Sequence, residues 1–398
     1  MTVPLSVVSI PPVISTEAAA AARDKANAMV GDVTVIAGKE KWTIKATTVQ
    51  RWVRFGWSGG TYGPTVDENA IRKALKPLVK EVLRPAKDAT FLVGKGGAIV
   101  GVTASVTGRS LDVNKTASAV SANLASRALG GRPIITPVAA ALVLKAPKLT
   151  TEVAKQSAPL MRKISSWTTY YVSGPHNGFS ANISLPAMAI DGTVVAPGQW
   201  FSFWKTVGEL TLAKGYKLGG AIVDGHSVEG HTIGGGICST STTIFNAALR
   251  AGFQMGARKN HFYYIARYPK GLDATVYISD GGGAQDMTWR NDTPYPVLIK
   301  AYAVPGIVRF TLYSVPNGRT VRFTAPLVKN YRPSTTLVQY TTSLRPGVRS
   351  QVEYEAAGFD AWVTRTVRDR NGRIVHVDTY YSHYARVVGL ILIGKSPS

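Results

Sequence analysis

Cys238 is the sole cysteine in 398 residues, and it stands where proteins commonly present a nucleophile or hold an anion. Gly234-Gly235-Gly236-Ile237 precede it. Ser239-Thr240-Ser241-Thr242-Thr243-Ile244-Phe245 follow, leading into a helix-like run that stops at Gly252. A glycine turn entering a helix leaves backbone N–H groups without intrahelical partners, and the helix dipole favours negative charge there. A helix N-terminus and a nearby cation both lower a thiol's pKa from its free value of about 8.5. His226, His231 and His261 are the candidate bases. His261 opens a segment with a strand pattern, and Asp273 sits in a turn from which it could orient an imidazole. Gly235 and Gly236 could bring N–H groups to a developing oxyanion. Each residue also has an ordinary use: a small buried thiol, a hydrogen-bonded structural imidazole, a turn-forming aspartate. Spacing alone leaves both readings open.

The elements that must position these groups read as a multidomain α+β chain. Hydrophobic residues make up 45% and charged residues 17%, enough apolar material for real cores, and the length suits two or three domains. Residues 1–30 carry a Pro-broken strand and an Ala-rich helix capped at Ser15-Thr16-Glu17. The same grammar returns at Pro147 and Thr150-Thr151-Glu152, with a second helix expected from Val153 to about Ile164. Pro12 and Pro147, like Glu17 and Glu152, are 135 apart, so residues 1–30 read as the tail of a truncated preceding repeat. Residues 31–163 form the next expected domain. It has a hairpin about Gly38, an amphipathic helix opened by Asp67-Glu68 with Ile71, Leu75, Leu78 and Val79 on one side, and a helix from Asp112-Val113 ended by Gly130-Gly131. Trp42 and Trp52 suit core packing better than sugar stacking. Residues 164–303 carry the chemistry. Residues 304–398 read as a strand-rich accessory module with 13 Lys/Arg against 5 Asp/Glu, and Asn371-Gly372 marks a hairpin.

The net charge of +23 draws such a chain to polyanions, among them the anionic polymers of a bacterial wall. No Lys/Arg block marks a nucleic-acid tail. One cysteine excludes an internal disulfide and multi-cysteine metal sites. No apolar run approaches a bilayer span. The start, Met1-Thr2-Val3-Pro4-Leu5, lacks a signal-peptide pattern. The interrupted repeat favours a leader or membrane anchor upstream of residue 1 over a cytoplasmic chain.

The run from 234 to 252 resembles the central signature of the VanW family of bacterial cell-envelope proteins. Further matches are Asn182 and Ile183, the run Gly192-Thr193-Val194-Val195-Ala196-Pro197-Gly198-Gln199-Trp200-Phe201-Ser202-Phe203, Val207-Gly208 and Gly215-Tyr216. His261 with Tyr268-Pro269-Lys270-Gly271-Leu272-Asp273-Ala274-Thr275-Val276, and Arg290-Asn291-Asp292-Thr293-Pro294-Tyr295-Pro296, complete a resemblance over roughly 165–303. The family usually has Gln directly after the cysteine, where this chain has Ser239. Residues 31–141 resemble the peptidoglycan-binding domain found upstream of VanW domains. Residues 335–394 resemble a G5-type β module through Arg345-Pro346-Gly347, Gly358-Phe359-Asp360 and Gly394.

Some VanW-domain proteins act as L,D-transpeptidases that use the signature cysteine to cross-link peptidoglycan stem peptides. The resemblance therefore implies Cys238 as nucleophile and His261 as its partner, with Asp273 and Ser241 as further catalytic candidates. Gly235, Gly236, Ser239 and His231 are implied in oxyanion or substrate binding. No cofactor or metal is implied. Expected partners are stem peptides and anionic wall polymers, not nucleic acid, at an extracytoplasmic wall or surface location. The alternative is a non-catalytic peptidoglycan-binding wall protein linked to glycopeptide resistance, in which the glycine turn holds a carboxylate or phosphate. Ser239 is the residue that favours it.

Overall fold

Ser15 and Thr150 perform the same local task in the computed structural model. Each hydroxyl accepts the N–H three residues on, at 3.1 and 3.3 Å, and so starts a helix with a glutamate in its first turn. The repeat grammar thus survives as capping. The two helices differ in length. Thr16–Met29 runs its full Ala-rich course, whereas Thr151–Ser157 passes into a single 3-10 turn at Ala158–Leu160 and then the strand Arg162–Tyr170. The expected continuation to Ile164 fails because Pro159 has no N–H for a helical ladder.

The structure describes residues 10, 12–129, 136–174, 177–223, 226–278 and 283–396, with the backbone alone at 221, 223, 226–229 and 231. The expected stop at Gly130-Gly131 lies outside the described residues. The fold is α+β, in two compact units: Met1–Lys87 with Val106–Pro147, and Asp88–Ser105 with Lys148–Ser398.

In the first unit, Val33–Ala37 and Glu40–Ile44 form the hairpin, Val35 opposite Trp42. Asp67 caps the helix Glu68–Val82, whose buried side carries Ile71, Leu75 and Leu78. These side chains meet Val120 and Leu124 of the helix Val113–Leu129, together with Trp52 and Met29. Met29 shows that the helix Thr16–Met29 packs into this unit's own core, although the sequence reads as the tail of a preceding repeat.

In the second unit, Arg162–Tyr170, Ile307–Ser314, Val297–Val304 and Val194–Val195 pair antiparallel in that spatial order. The boundary expected at 303/304 falls inside the tight hairpin of Val297–Val304 and Ile307–Ser314, which turns at Gly306 with φ of 88°. The cysteine helix, Cys238–Ala251, lies on this sheet beside the helix Phe179–Ile190. Ile244, Phe245 and Leu249 meet Ile183, Ile190, Ile299 and Phe310 in the main core.

The C-terminal residues do not stand apart from that core. Gly358–Arg368 and Ile374–Tyr384 form a long hairpin, turning at Asn371-Gly372. On Gly358–Arg368 the inward row is Phe359, Ala361, Val363, Arg365 and Val367, and Val363 packs in the main core. Arg365 is the one charge in that row and is fully buried. Its guanidinium pairs with Asp378 and donates to Leu249 O and Phe253 O, both at 3.0 Å. A helix leaves its last carbonyls unpaired and its C-terminus partly negative, so this cation answers both needs. Arg365→Met should therefore lower stability by about 2 kcal/mol in urea unfolding of the whole chain, because it leaves Phe253 O without this donor and takes one of two donors from Leu249 O. A loss under about 1 kcal/mol would contradict this account.

Candidate functional site

Cys238 is the first residue of its helix, and the turn before it depends on close backbone approach. A Cβ on Gly235 would lie 2.4 Å from the carbonyl carbon of Gly219. Gly236 has φ of 98°, and a Cβ there would meet the Phe179 ring at 2.7 Å. Asn182, fully buried, holds this turn. Its Nδ2 donates to Lys217 O and Gly235 O at 2.9 Å each, and its Oδ1 accepts from Lys217 N–H at 2.8 Å.

The Ser/Thr run that follows is buried along its length. Thr240 Oγ1 donates to Ile183 O at 2.9 Å. Thr242 Oγ1 donates to Ala274 O and accepts from Ala274 N–H at 3.0 Å. Asn246 Nδ2 donates to Leu272 O at 2.8 Å. These bonds fasten the irregular segment 272–276 along the cysteine helix. Thr275 Oγ1 is thereby set 3.3 Å from Cys238 Sγ, and Val276 N–H donates to the sulfur at 3.4 Å.

His261 reaches the thiol from the same irregular stretch. The strand pattern over residues 261–265 forms no strand. Side-chain bonds replace the ladder. Asp273 Oδ2 accepts both the His261 backbone N–H at 2.7 Å and Nδ1–H at 2.5 Å. This fixes the tautomer, leaving Nε2 as the nitrogen available to a proton from the thiol. Nε2 is buried and makes no hydrogen bond of ordinary geometry, yet the Cys238 sulfur lies near enough to act on the imidazole both as a weak hydrogen-bond partner and through charge. Tyr268 stacks on the imidazole, centroids 5.1 Å apart, and its hydroxyl meets Ser239 Oγ at 2.9 Å.

Electrostatics follow from these contacts. Burial pushes the Cys238 thiol up, but His261, Thr275 and the Val276 N–H together outweigh it and lower its pKa. Burial alone would lower the His261 pKa. Asp273 and the Cys238 thiolate instead raise it, to about 10. Asp273 is held down to about 2, against burial, by His261, Arg258 and Tyr384. The two directions agree: each group favours the charged form of the other, which shifts the pair towards a thiolate beside an imidazolium, with a carboxylate behind it. Cys238 itself is partly exposed, so the pair is not sealed from solvent.

The structure thus brings together Cys238, His261 and Asp273. Gly236 N–H and Cys238 N–H have no partner among the described residues. Gly235 N–H is not available as expected, because it donates to Thr232 O at 3.3 Å. Ser241 Oγ is buried, with no partner among the described residues and no contact to the sulfur, which places it outside the acid–base line. Ser239 lies against Tyr268 and accepts from Arg267 Nε at 3.3 Å, so it supports the imidazole's stacking partner and does not face an oxyanion. The side chains of His226 and His231 lie outside the described residues. Sequence reasoning gave no role to Arg258, Tyr268, Thr275 or Tyr384. The first three stand in or beside the matched run 261–276, and no local signal marks Tyr384. Among the described residues no cluster of three or more His, Cys, Asp or Glu could hold a metal ion. None of the described helices is long and apolar enough to cross a membrane.

Residues 179–313 match the family model "VanW like protein". Over this stretch the chain is similar to the VanW family. Residues 40–128 match the model "Putative peptidoglycan binding domain". Over 153 residues the chain is 42% identical to "Uncharacterized protein YoaR" of Bacillus subtilis strain 168, covering 38% of this chain and 48% of that one. Over 119 residues it is 30% identical to "Vancomycin B-type resistance protein VanW" of Enterococcus faecalis, covering 28% and 40%. The chain thus spans less than half the length of these curated relatives. Among solved structures, a mutant L,D-transpeptidase of Enterococcus faecium is similar at 14% identity and a TM-score of 0.22, over 48% of this chain and 68% of that one. An IgA1 protease G5 domain is similar at 12% identity and a TM-score of 0.14, over 20% and 96%. Likenesses this slight carry no argument about chemistry.

The lowered thiol pKa of this VanW-like domain has a direct readout. Alkylation of Cys238 by iodoacetamide should remain fast below the ordinary thiol range, because the thiolate persists there beside His261. In His261→Ala the half-point should move above about 8.5, since burial then acts without a counter-charge. Superimposable pH profiles would refute the ion pair.

Proposed function

We propose that this chain is a peptidoglycan L,D-transpeptidase in which Cys238 is the nucleophile. The Cys238–His261–Asp273 line carries the reading: a thiol at a helix start, an imidazole of fixed tautomer facing it, and a buried carboxylate behind. The VanW family match, the peptidoglycan-binding match and the basic surface support a wall-associated, extracytoplasmic setting, with stem peptides and anionic wall polymers as partners.

In this mechanism the thiolate attacks the carbonyl carbon of an L,D-configured bond in a tetrapeptide stem. The carbonyl oxygen becomes an oxyanion, for which the unpaired N–H groups of Gly236 and Cys238 are the candidate donors. Collapse breaks the C–N bond, and the imidazolium gives its proton to the departing D-residue's amine. A thioester remains on Cys238. An amine from a neighbouring stem then attacks the thioester carbonyl, His261 takes the amine's proton, and the thiolate leaves as the new amide forms. Asp273 keeps Nδ1–H directed throughout and stabilises the imidazolium. Arg267, whose guanidinium lies 4.9 Å from the Tyr268 ring centre and bonds Ser239, puts a cation beside the residue that follows Cys238, a charge that suits a stem carboxylate.

Incubation with purified disaccharide-tetrapeptide should yield cross-linked dimers and a Cys238 acyl adduct visible by mass spectrometry. Cys238→Ala should yield neither, and His261→Ala should lose at least about a hundredfold in rate. A folded protein giving no dimer and no adduct would leave the non-catalytic wall-binding reading in its place.

A further inference from the structure

The C-terminal hairpin reaches the site at the end opposite Arg365. Tyr384, the last residue of the strand Ile374–Tyr384, donates its hydroxyl to Asp273 Oδ1 at 2.6 Å. The same hydroxyl accepts Gly271 N–H at 3.1 Å, so one oxygen ties the carboxylate to the turn that carries it. Tyr384 is buried. Burial first, and then the Asp273 charge, raise its pKa, which keeps the phenol a permanent donor. Its ring packs on Phe359, centroids 5.0 Å apart, and edge-on to Tyr264 at 5.5 Å, which fixes where the hydroxyl points.

The rest of the strand's end repeats the pattern around His261. Asn260 Nδ2 donates to His383 O at 2.7 Å, and Ala385 N–H donates to Phe262 O at 2.7 Å. Arg258 bridges the two segments. It donates to Asp273 O at 2.7 Å and Asp273 Oδ1 at 3.1 Å on one side, and to Ser382 Oγ at 2.8 Å and Tyr381 O at 3.0 Å on the other. Asn260 and Phe262 on either side of His261, and Gly271 two residues before Asp273, are thus held by residues 382–385. Asp273 Oδ2 is fully used by His261, so the carboxylate's rotation is set at Oδ1, where Tyr384 and Arg258 are its partners.

We propose that Tyr384 is a positioning residue of the Cys238 site, and that the C-terminal module is a working part of that site and not a separable accessory. This rests on the Cys238–His261–Asp273 reading for its catalytic consequence, but its physical content is the set of the imidazole. Without the phenol, Arg258 alone holds Oδ1, so the carboxylate is less firmly set, the acceptor of Nδ1 is less fixed, and Nε2 faces the sulfur for less of the time. Outer hydrogen bonds of this kind typically change the behaviour of the group they orient by about 10-fold to 100-fold.

The test uses the full chain and iodoacetamide, so it does not require transpeptidation. Tyr384→Phe keeps the ring and removes the hydroxyl; its alkylation rate at neutral pH should fall about tenfold, with the half-point displaced upward. Phe359→Leu, which loosens the ring's packing but leaves the hydroxyl in place, should lower Tm and displace the pH profile by much less than Tyr384→Phe does. A Tyr384→Phe protein with the wild-type rate and profile overturns the proposal, as does a Phe359→Leu profile displaced equally. Should Tyr384→Phe fail to fold, Ser382→Ala takes its place, with about a threefold fall expected and an unchanged profile again overturning it. The disaccharide-tetrapeptide assay runs alongside. Absent dimers with a displaced Tyr384→Phe profile would sink the enzyme reading alone; dimers with an undisplaced profile would sink the positioning role alone.

Discussion

A carboxylate with almost no exposure to water must have its charge answered from every side, and Asp273 imposes that condition on this structure. Each oxygen takes two donors: the backbone and ring of His261 on one, Arg258 and Tyr384 on the other. Leaving one of them out would cost more than the bond itself contributes, because the group left behind stays buried. The geometry of the surroundings follows. The segment 257–276 can do without a strand ladder because Arg258 and Asp273 hold it, and the cysteine helix offers hydroxyls to its inner edge.

The cysteine helix shows the complementary arrangement. A buried Ser/Thr run is unusual for a helix on a sheet, where an apolar stripe is the rule. Here apolar residues Ile244, Phe245 and Leu249 supply the core contact, while Thr240 bonds the neighbouring helix at Ile183 O and Thr242 satisfies Ala274 in a segment that has no regular partner. Packing places the helix, and the hydroxyls place what lies along it.

These two arrangements explain what was legible in the sequence. The helix at 238–251, its stop at Gly252, the caps at Ser15, Asp67 and Thr150 and the Asn371-Gly372 turn are local signals, written within a few residues. Cys238, His261 and Asp273 were recoverable because they sit in one matched run. The strand pattern at 261–265 misled, since alternation of aromatic residues reads alike in a strand and in a loop whose rings pack on Tyr384 and Phe359. The reading of residues 304–398 as an accessory missed Arg365 and Tyr384, because a capping cation or a phenol on a distant hairpin leaves no trace in spacing. The Gly235 assignment missed a backbone bond, to Thr232, that no residue type advertises.

Arg365 also bears on the order in which the chain can mature. The cysteine helix is synthesised well before the hairpin that closes over its last carbonyls. Phe253 O has no helical partner to wait with, and contacts so far apart in sequence are slow to form. Both ends of the cysteine helix thus depend on one later-synthesised hairpin: Arg365 at its last turn, and Tyr384, through Asp273 and His261, at its first.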